Sequence, residues 1–158
     1  MRRGAAIAEL ESLYRERYRH FLRVAGLITA DAETAHDAVQ EAFAAAVRAR
    51  AAYRGEGSLE AWVWRAVVNA AKRQRRAPVV AIEPEMVSEN GDAPDERVVR
   101  VWIAGLPERQ RLAVYLRYYA DLDYRAIAAV LEVELGTVSA TLSAAHRSLR
   151  KNLEEVLQ

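Results

Sequence analysis

A chain of 158 residues is long enough for one domain or two small ones and too short for a large enzyme core. A formal charge of only +1 means that any affinity for nucleic acid must come from where the 23 basic and 22 acidic residues sit, not from their sum. Without cysteine there is no disulfide or thiolate chemistry, and no segment has the apolar length of a signal peptide or a membrane span; a soluble cytoplasmic protein without membrane insertion is expected.

Outside one central segment, apolar residues recur at three- and four-residue spacing, which predicts an all-α chain. Leu10, Leu13, Tyr14, Tyr18, Phe21, Leu22 and Ala25 line one face of a first helix. Asp31 is placed to cap a second, with Glu33 in its first turn and Ala35, Ala38, Val39, Ala42, Phe43, Ala46 and Val47 on its apolar face. Residues 53–57 read as a loop, and Ser58 caps a third helix that carries Trp62, Trp64, Val67, Val68 and Ala71 into the basic run Lys72, Arg73, Arg75, Arg76. Composition then changes abruptly. The stretch APVVAIEPEMVSENGDAP, residues 77–94, holds Glu83, Glu85, Glu89 and Asp92 and no basic residue, and reads as an acidic linker with a short ordered piece around residues 79–82. Two small helical domains are therefore expected, residues 1–76 and 95–158, joined by this linker.

The second domain opens with a helix from Asp95 to Ala104 that Gly105 ends. Pro107 suits the first position of the next helix, which runs to about Ala120 through Leu112, Val114, Tyr115, Leu116 and Tyr118. Asp123 then caps the most informative stretch, DYRAIAAVLEVELGTVSATLSAAHRSL. Its residues Ile127, Ala128, Leu131, Val133, Leu135, Val138 and Leu142 fall where two short helices meeting at a tight turn need a shared core. That is a helix-turn-helix pattern, whose second helix would lie in a DNA major groove; a helical hairpin in an all-α core fits the same spacing. Arg147, Arg150 and Lys151 add positive charge towards the end of the last helix, where it also complements the dipole.

On the third helix, Arg65, Asn69, Lys72 and Arg73 share a stripe beside Trp62 and Trp64. Aromatic faces stack on unpaired bases, an amide can bond a base edge and guanidinium groups hold phosphates, so the helix suits single-stranded or opened DNA. The same residues also fit an amphipathic helix with core tryptophans and solvated cations. The loop Arg54-Gly55-Glu56-Gly57-Ser58 has two glycines but no preceding strand, a poor phosphate-loop signal. His20, His36 and His146 are scattered, and Glu33 and Asp37 beside His36 are explained by the helix dipole. Neither a nucleophile elbow nor a Walker lysine is present, so no metal, cofactor or enzymatic activity is expected.

Three segments together resemble a known family. AHDAVQEAF (Ala35 to Phe43) resembles the second conserved region of bacterial sigma factors of the extracytoplasmic-function (ECF) group. Tyr53 to Arg76 is similar to the promoter-melting part of the same domain, and Leu106 to Arg150 to region four, in the family's order. The resemblance implies an initiation subunit of RNA polymerase. Asp37, Gln40 and Glu41 match the family's D-x-x-Q-E, with Phe43 beside them, and would dock on the clamp helices of the polymerase β′ subunit, the β subunit being the other polymerase partner. Ordinary helix surface is the plain alternative. Tyr53, Ser58, Trp62, Arg65, Asn69, Lys72, Arg73 and Arg76 would recognise the minus 10 element of promoter DNA and hold a flipped base, with Asn69 as the base contact and Trp62 supporting the helix. The acidic linker would thread the polymerase cleft. Arg125, Thr137, Ser139, Ala140, Ser143, Ala144, Arg147 and Arg150 would meet the minus 35 element, and an anti-sigma factor would hold the chain inactive.

The chain departs from the family's pattern in region four. Ser139, Ala140, Thr141, Ser143, Ala144 and Ala145 stand where relatives often carry Lys or Arg, so bidentate guanine contacts are lost there and readout must use small side chains, thymine methyls or DNA shape. Ala126 replaces a frequent Glu, and Glu132 stands at the turn position usual for glycine; if left-handed, that backbone costs roughly 1 kcal/mol. The same residues also fit two other readings: a helix-turn-helix regulator that never engages polymerase, and a sigma-derived protein-interaction module.

Overall fold

The computed structural model describes residues 4–76 and 95–158; the acidic linker and its expected ordered piece lie outside the described residues. Among the described residues all regular structure is helical, as the periodicity requires. No single helix there is long and apolar enough to cross a membrane.

The first domain is built from α1 (Ile7–Thr29), α2 (Ala32–Arg48) and α3 (Leu59–Gln74), with a 3₁₀ turn at Arg50–Ala52. Each start has a local cause. Glu9 reaches back to accept from the backbone N–H of Ala6 (2.8 Å), the Asp31 carboxylate accepts from that of Thr34 (2.9 Å), and Ser58 Oγ accepts from that of Ala61 (3.0 Å). The three helices close on an aromatic centre: Phe21 sits 4.4 Å from Trp64 and 5.2 Å from Phe43, ring centre to ring centre. Val24, Val39, Val63 and Val67 fill the space around it, all fully buried.

The second domain contains α4 (Glu96–Ala104), α5 (Glu108–Val114, continued by a π-helical turn over Tyr115–Tyr119), α6 (Tyr124–Leu131) and α7 (Leu135–Leu157). Asp95 and Asp123 cap α4 and α6 through the backbone N–H groups of Arg97 and Ala126. Gly105 ends α4 without a left-handed cap, at φ −80°, and Pro107 is the N-cap of α5 rather than its first residue. The π turn corrects a second expectation. One extra residue in the turn rotates the helix surface, so Tyr115 and Leu116 stay buried while Tyr118, expected on the apolar face, is 54% exposed. Burial pushes the Tyr115 hydroxyl up to a pKa of about 12.

The axes of α6 and α7 turn through 99° at Glu132, which has φ 55° and ψ 48°, the left-handed geometry expected there of glycine. Ile127, Val138 and Leu142 form the shared core, with Ala128, Leu131 and Val133 packed beside them. Leu135 does not join it. At the first position of α7 its side chain is 47% exposed, because Cα–Cβ bonds tilt towards the helix N-terminus and carry it off the shared core.

The two halves pack on one another, α3 against α6 and α1 against the π turn. Arg17 ties α1 to Glu60 (2.7 Å) and donates to the carbonyl of Ala120. Arg23 lies 4.7 Å over the Tyr119 ring and 3.3 Å from Glu96.

Candidate nucleic-acid interface

Three surfaces gather the residues singled out by the sequence. The first is the exposed edge of α2. Asp37 and Gln40 face solvent one turn apart, and the Gln40 amide donates to the Tyr14 hydroxyl (2.7 Å). Glu41 is only half-exposed and accepts hydrogen bonds from Gln74 and Arg73, which hold its carboxyl below the usual carboxylate range. Phe43 is buried edge-on against Tyr14, 4.9 Å away, and faces the core from the floor of an apolar groove of about 380 Å³ lined also by Ile7, Leu10 and Val47. Asp37 and Gln40 are thus exposed at the surface, whereas Glu41 braces α2 to α3 and Phe43 supports the surface from beneath.

The second surface is one edge of α3 with the preceding loop. Tyr53 closes that loop by donating from its hydroxyl to the carbonyl of Gly57 (2.8 Å), while Gly55 and Gly57 take the left-handed conformations (φ 73° and 75°) that suit glycine. The Tyr53 ring lies 5.5 Å from Trp62. Ser58 is committed to the helix cap and is a positioning group here. Trp62, Arg65 and Asn69 line a groove of about 230 Å³ against Ala45 and Ala46 of α2 and Ala49 just past its end. Small alanines on one wall leave room for a planar group. Asn69 is exposed, and among the described residues its amide carries no hydrogen bond. Trp64, which the sequence had set beside Trp62 as a stacking face, is a core residue with its indole N–H donating to Glu60.

The cations of this edge are largely engaged. Arg65 pairs with Glu132 of the α6–α7 turn (3.2 Å), Lys72 with Glu108 of α5 (3.8 Å) and Arg73 with Glu41, leaving Arg76 exposed beyond the helix end. Two of these three partners come from the second domain. The opened-DNA face expected of α3 is therefore partly covered by the helix-turn-helix, a relation between distant residues that no local pattern in the sequence could reveal.

The third surface is the outer face of α7. Ser139, Ala140, Ser143, Arg147 and Arg150 are exposed along it, Thr137 and Ala144 are half-exposed at its margin, and Arg125 projects from the start of α6. Beside them Tyr124 and Leu135, neither of them among the expected readers, line a shallow groove with Arg125 and Ser139.

Known proteins match this arrangement in both halves. Residues 13–77 match the Sigma-70 region 2 family and residues 97–149 the Sigma-70 region 4 family. The chain is 32% identical to the RNA polymerase sigma-H factor of Pseudomonas aeruginosa, over 90% of this chain and 85% of that protein. It is 30% identical, with the same coverage, to the ECF RNA polymerase sigma-E factor of Escherichia coli K12. The chain belongs to the ECF sigma factors of RNA polymerase. Its fold agrees with two solved structures that are each 19% identical. One is the sigma factor RpoE in complex with the anti-sigma factor NepR from Bartonella quintana, with TM-score 0.71 over 94% of this chain and 98% of that one. The other is CnrH in complex with the cytosolic domain of CnrY, with TM-score 0.73 over 96% and 91%. In this ECF sigma factor the α1–α3 domain is region 2 and the α6–α7 pair belongs to region 4.

Proposed function

We propose that the chain binds core RNA polymerase through the Asp37 and Gln40 edge of α2, holds opened minus 10 DNA on α3 around Asn69, and reads the minus 35 element with α7. It acts in the cytoplasm as a non-catalytic subunit, and the finer division into residues 1–76, 77–94 and 95–158 assigns docking and opening to the first part and upstream recognition to the last. The observation that carries the opening role is the α3 groove, in which an uncommitted amide, a half-buried tryptophan and a guanidinium share one small-walled cleft. Such a cleft offers a flipped base a stacking partner and an edge contact, which offset the few kcal/mol that unstacking costs.

The free chain is closed. Arg65 and Lys72 face carboxylates of the second domain, so polymerase must separate the halves before α3 meets DNA. Two solved relatives in fold are held by partners, one of them named as an anti-sigma factor, which supports the same mode of control here. The test is reconstitution with core polymerase and run-off transcription from the upstream region of the chain's own gene. Asn69→Ala is expected to lose promoter opening while keeping polymerase affinity. Equal loss of both would show that Asn69 only supports the fold, and failure to bind polymerase at all would sink the proposal.

A further inference from the structure

The recognition helix poses a physical problem. Beyond Leu135, its exposed positions over the first three turns are Gly136, Ser139, Ala140 and Ser143, none with a side chain long enough to reach deep into a major groove. Arg147, the first exposed cation on the helix, stands twelve residues beyond Leu135, about 18 Å along the axis. In helix-turn-helix proteins it is the N-terminal part of the second helix that meets base edges. One large exposed apolar side chain stands there: Leu135, the first residue of α7, 47% exposed, directly after the exposed N-cap Glu134.

Leu135 is not an isolated surface leucine. Tyr124, the first residue of α6, is 38% exposed and lines the same shallow groove, together with Arg125, Gly136 and Ser139. The other large exposed apolar groups are placed differently. Tyr118 is bonded through its hydroxyl to His146 (2.7 Å), Ile7 belongs to the α1–α2 groove, and Val156 and Leu157 end the last helix. The Asp123 carboxylate keeps its charge but is held back at the start of α6, where it accepts from the backbone N–H of Ala126. Arg125, beside it, is exposed and unpaired among the described residues, available for the DNA backbone.

We infer that Leu135 is a specificity-determining residue that reads a thymine 5-methyl group in the upstream promoter element, with Tyr124 covering the contact from the sugar-phosphate side. This rests on the proposed role of α7 as the upstream reader. Thymine is the one base that offers an apolar group in the major groove, so an apolar side chain at the tip of the helix selects it by removing methyl and leucine surface from water together. Gly136 beside Leu135 and Ser139 one turn on leave room for the base edge to approach. A reader of this kind needs no cation, which agrees with a recognition helix whose base-facing positions hold none.

The test uses the full chain assembled with core polymerase. Duplex promoters are selected from a pool randomised across the upstream window, and each thymine of the selected sequence is then replaced singly by deoxyuridine, which removes only the methyl group. At one thymine the replacement is expected to weaken wild-type binding about fourfold, the worth of a single buried methyl. Leu135→Ala should bind the thymine and uracil probes equally at that position, and Leu135→Met should recover the discrimination. Indifference of the wild type at every thymine, or full methyl sensitivity in Leu135→Ala, overturns the inference. So does a Leu135→Ala variant that loses polymerase rather than DNA, which would mark the patch as a protein contact. If the selection enriches no upstream sequence, the role of α7 itself fails; enrichment without methyl sensitivity removes only the role of Leu135.

Discussion

Glu132→Gly tests the closure of the two domains with the fewest side effects. Glu132 occupies a left-handed position and reaches across to Arg65 of α3, so one substitution removes both the ion pair and the strain. The side chains of the pair are 41% and 69% exposed, so solvent screens it and it contributes about 0.2–1 kcal/mol to closure. Relief of the left-handed conformation returns about 1 kcal/mol, which the larger entropy of glycine in the unfolded chain offsets to within about 0.5 kcal/mol. The melting temperature should therefore barely move, while the ratio of open to closed chains rises about 1.5- to 5-fold at low salt. The absence of cysteine makes the assay direct. Dye-labelled cysteines placed at Glu11 and Glu154 report the separation of the halves, and a salt titration should open the wild type towards the level at which the variant begins. Adding Arg65→Ala to Glu132→Gly should then change nothing further, since the partner is already gone. An unaltered distance distribution in Glu132→Gly, or an additive effect of Arg65→Ala, would refute the role of this pair.

Two other expectations concern the first domain. Trp64→Ala should cost about 3–5 kcal/mol, read as a lower denaturant midpoint, because it empties the aromatic centre, whereas half-buried Trp62→Ala should lose far less stability and mainly single-stranded DNA binding by the polymerase-bound chain. The Glu41 carboxyl is depressed by its hydrogen bonds to Gln74 and Arg73, so its contribution is fully present above the ordinary carboxylate range near pH 4.5 and is lost as pH falls through the depressed value. Chemical denaturation from pH 6 to 3 should show that acid-side loss in the wild type and a shallower one in Glu41→Gln.

What the sequence disclosed was local. Asp31, Ser58 and Asp123 could be read as caps because the groups they bond lie three residues on, and the apolar faces of α1, α2 and α3 followed from helical periodicity alone. Tyr118 escaped because a π turn shifts the phase that periodicity assumes constant, and Leu135 because its spacing fits the core while its place at the helix start turns it outward. Family resemblance placed Glu41, Arg65, Lys72 and Arg73 among contact residues. Their pairings depend on side chains 32 to 67 residues apart in sequence for Glu41–Arg73 and Arg65–Glu132, and on the whole domain packing for Lys72–Glu108.

The brace from Glu41 to Arg73 and Gln74 has a practical consequence for anyone recombining parts of this chain. It joins α2 to the C-terminal end of α3, the helices proposed to meet polymerase and DNA, so the two behave as a single lever. Exchanging α2 for that of another sigma factor while keeping α3 would preserve the brace only if the incoming helix sets its own D-x-x-Q-E glutamate against Arg73 and Gln74. Chimeras that cross over within residues 77–94 would carry the lever whole, and polymerase affinity and promoter preference would then be inherited together.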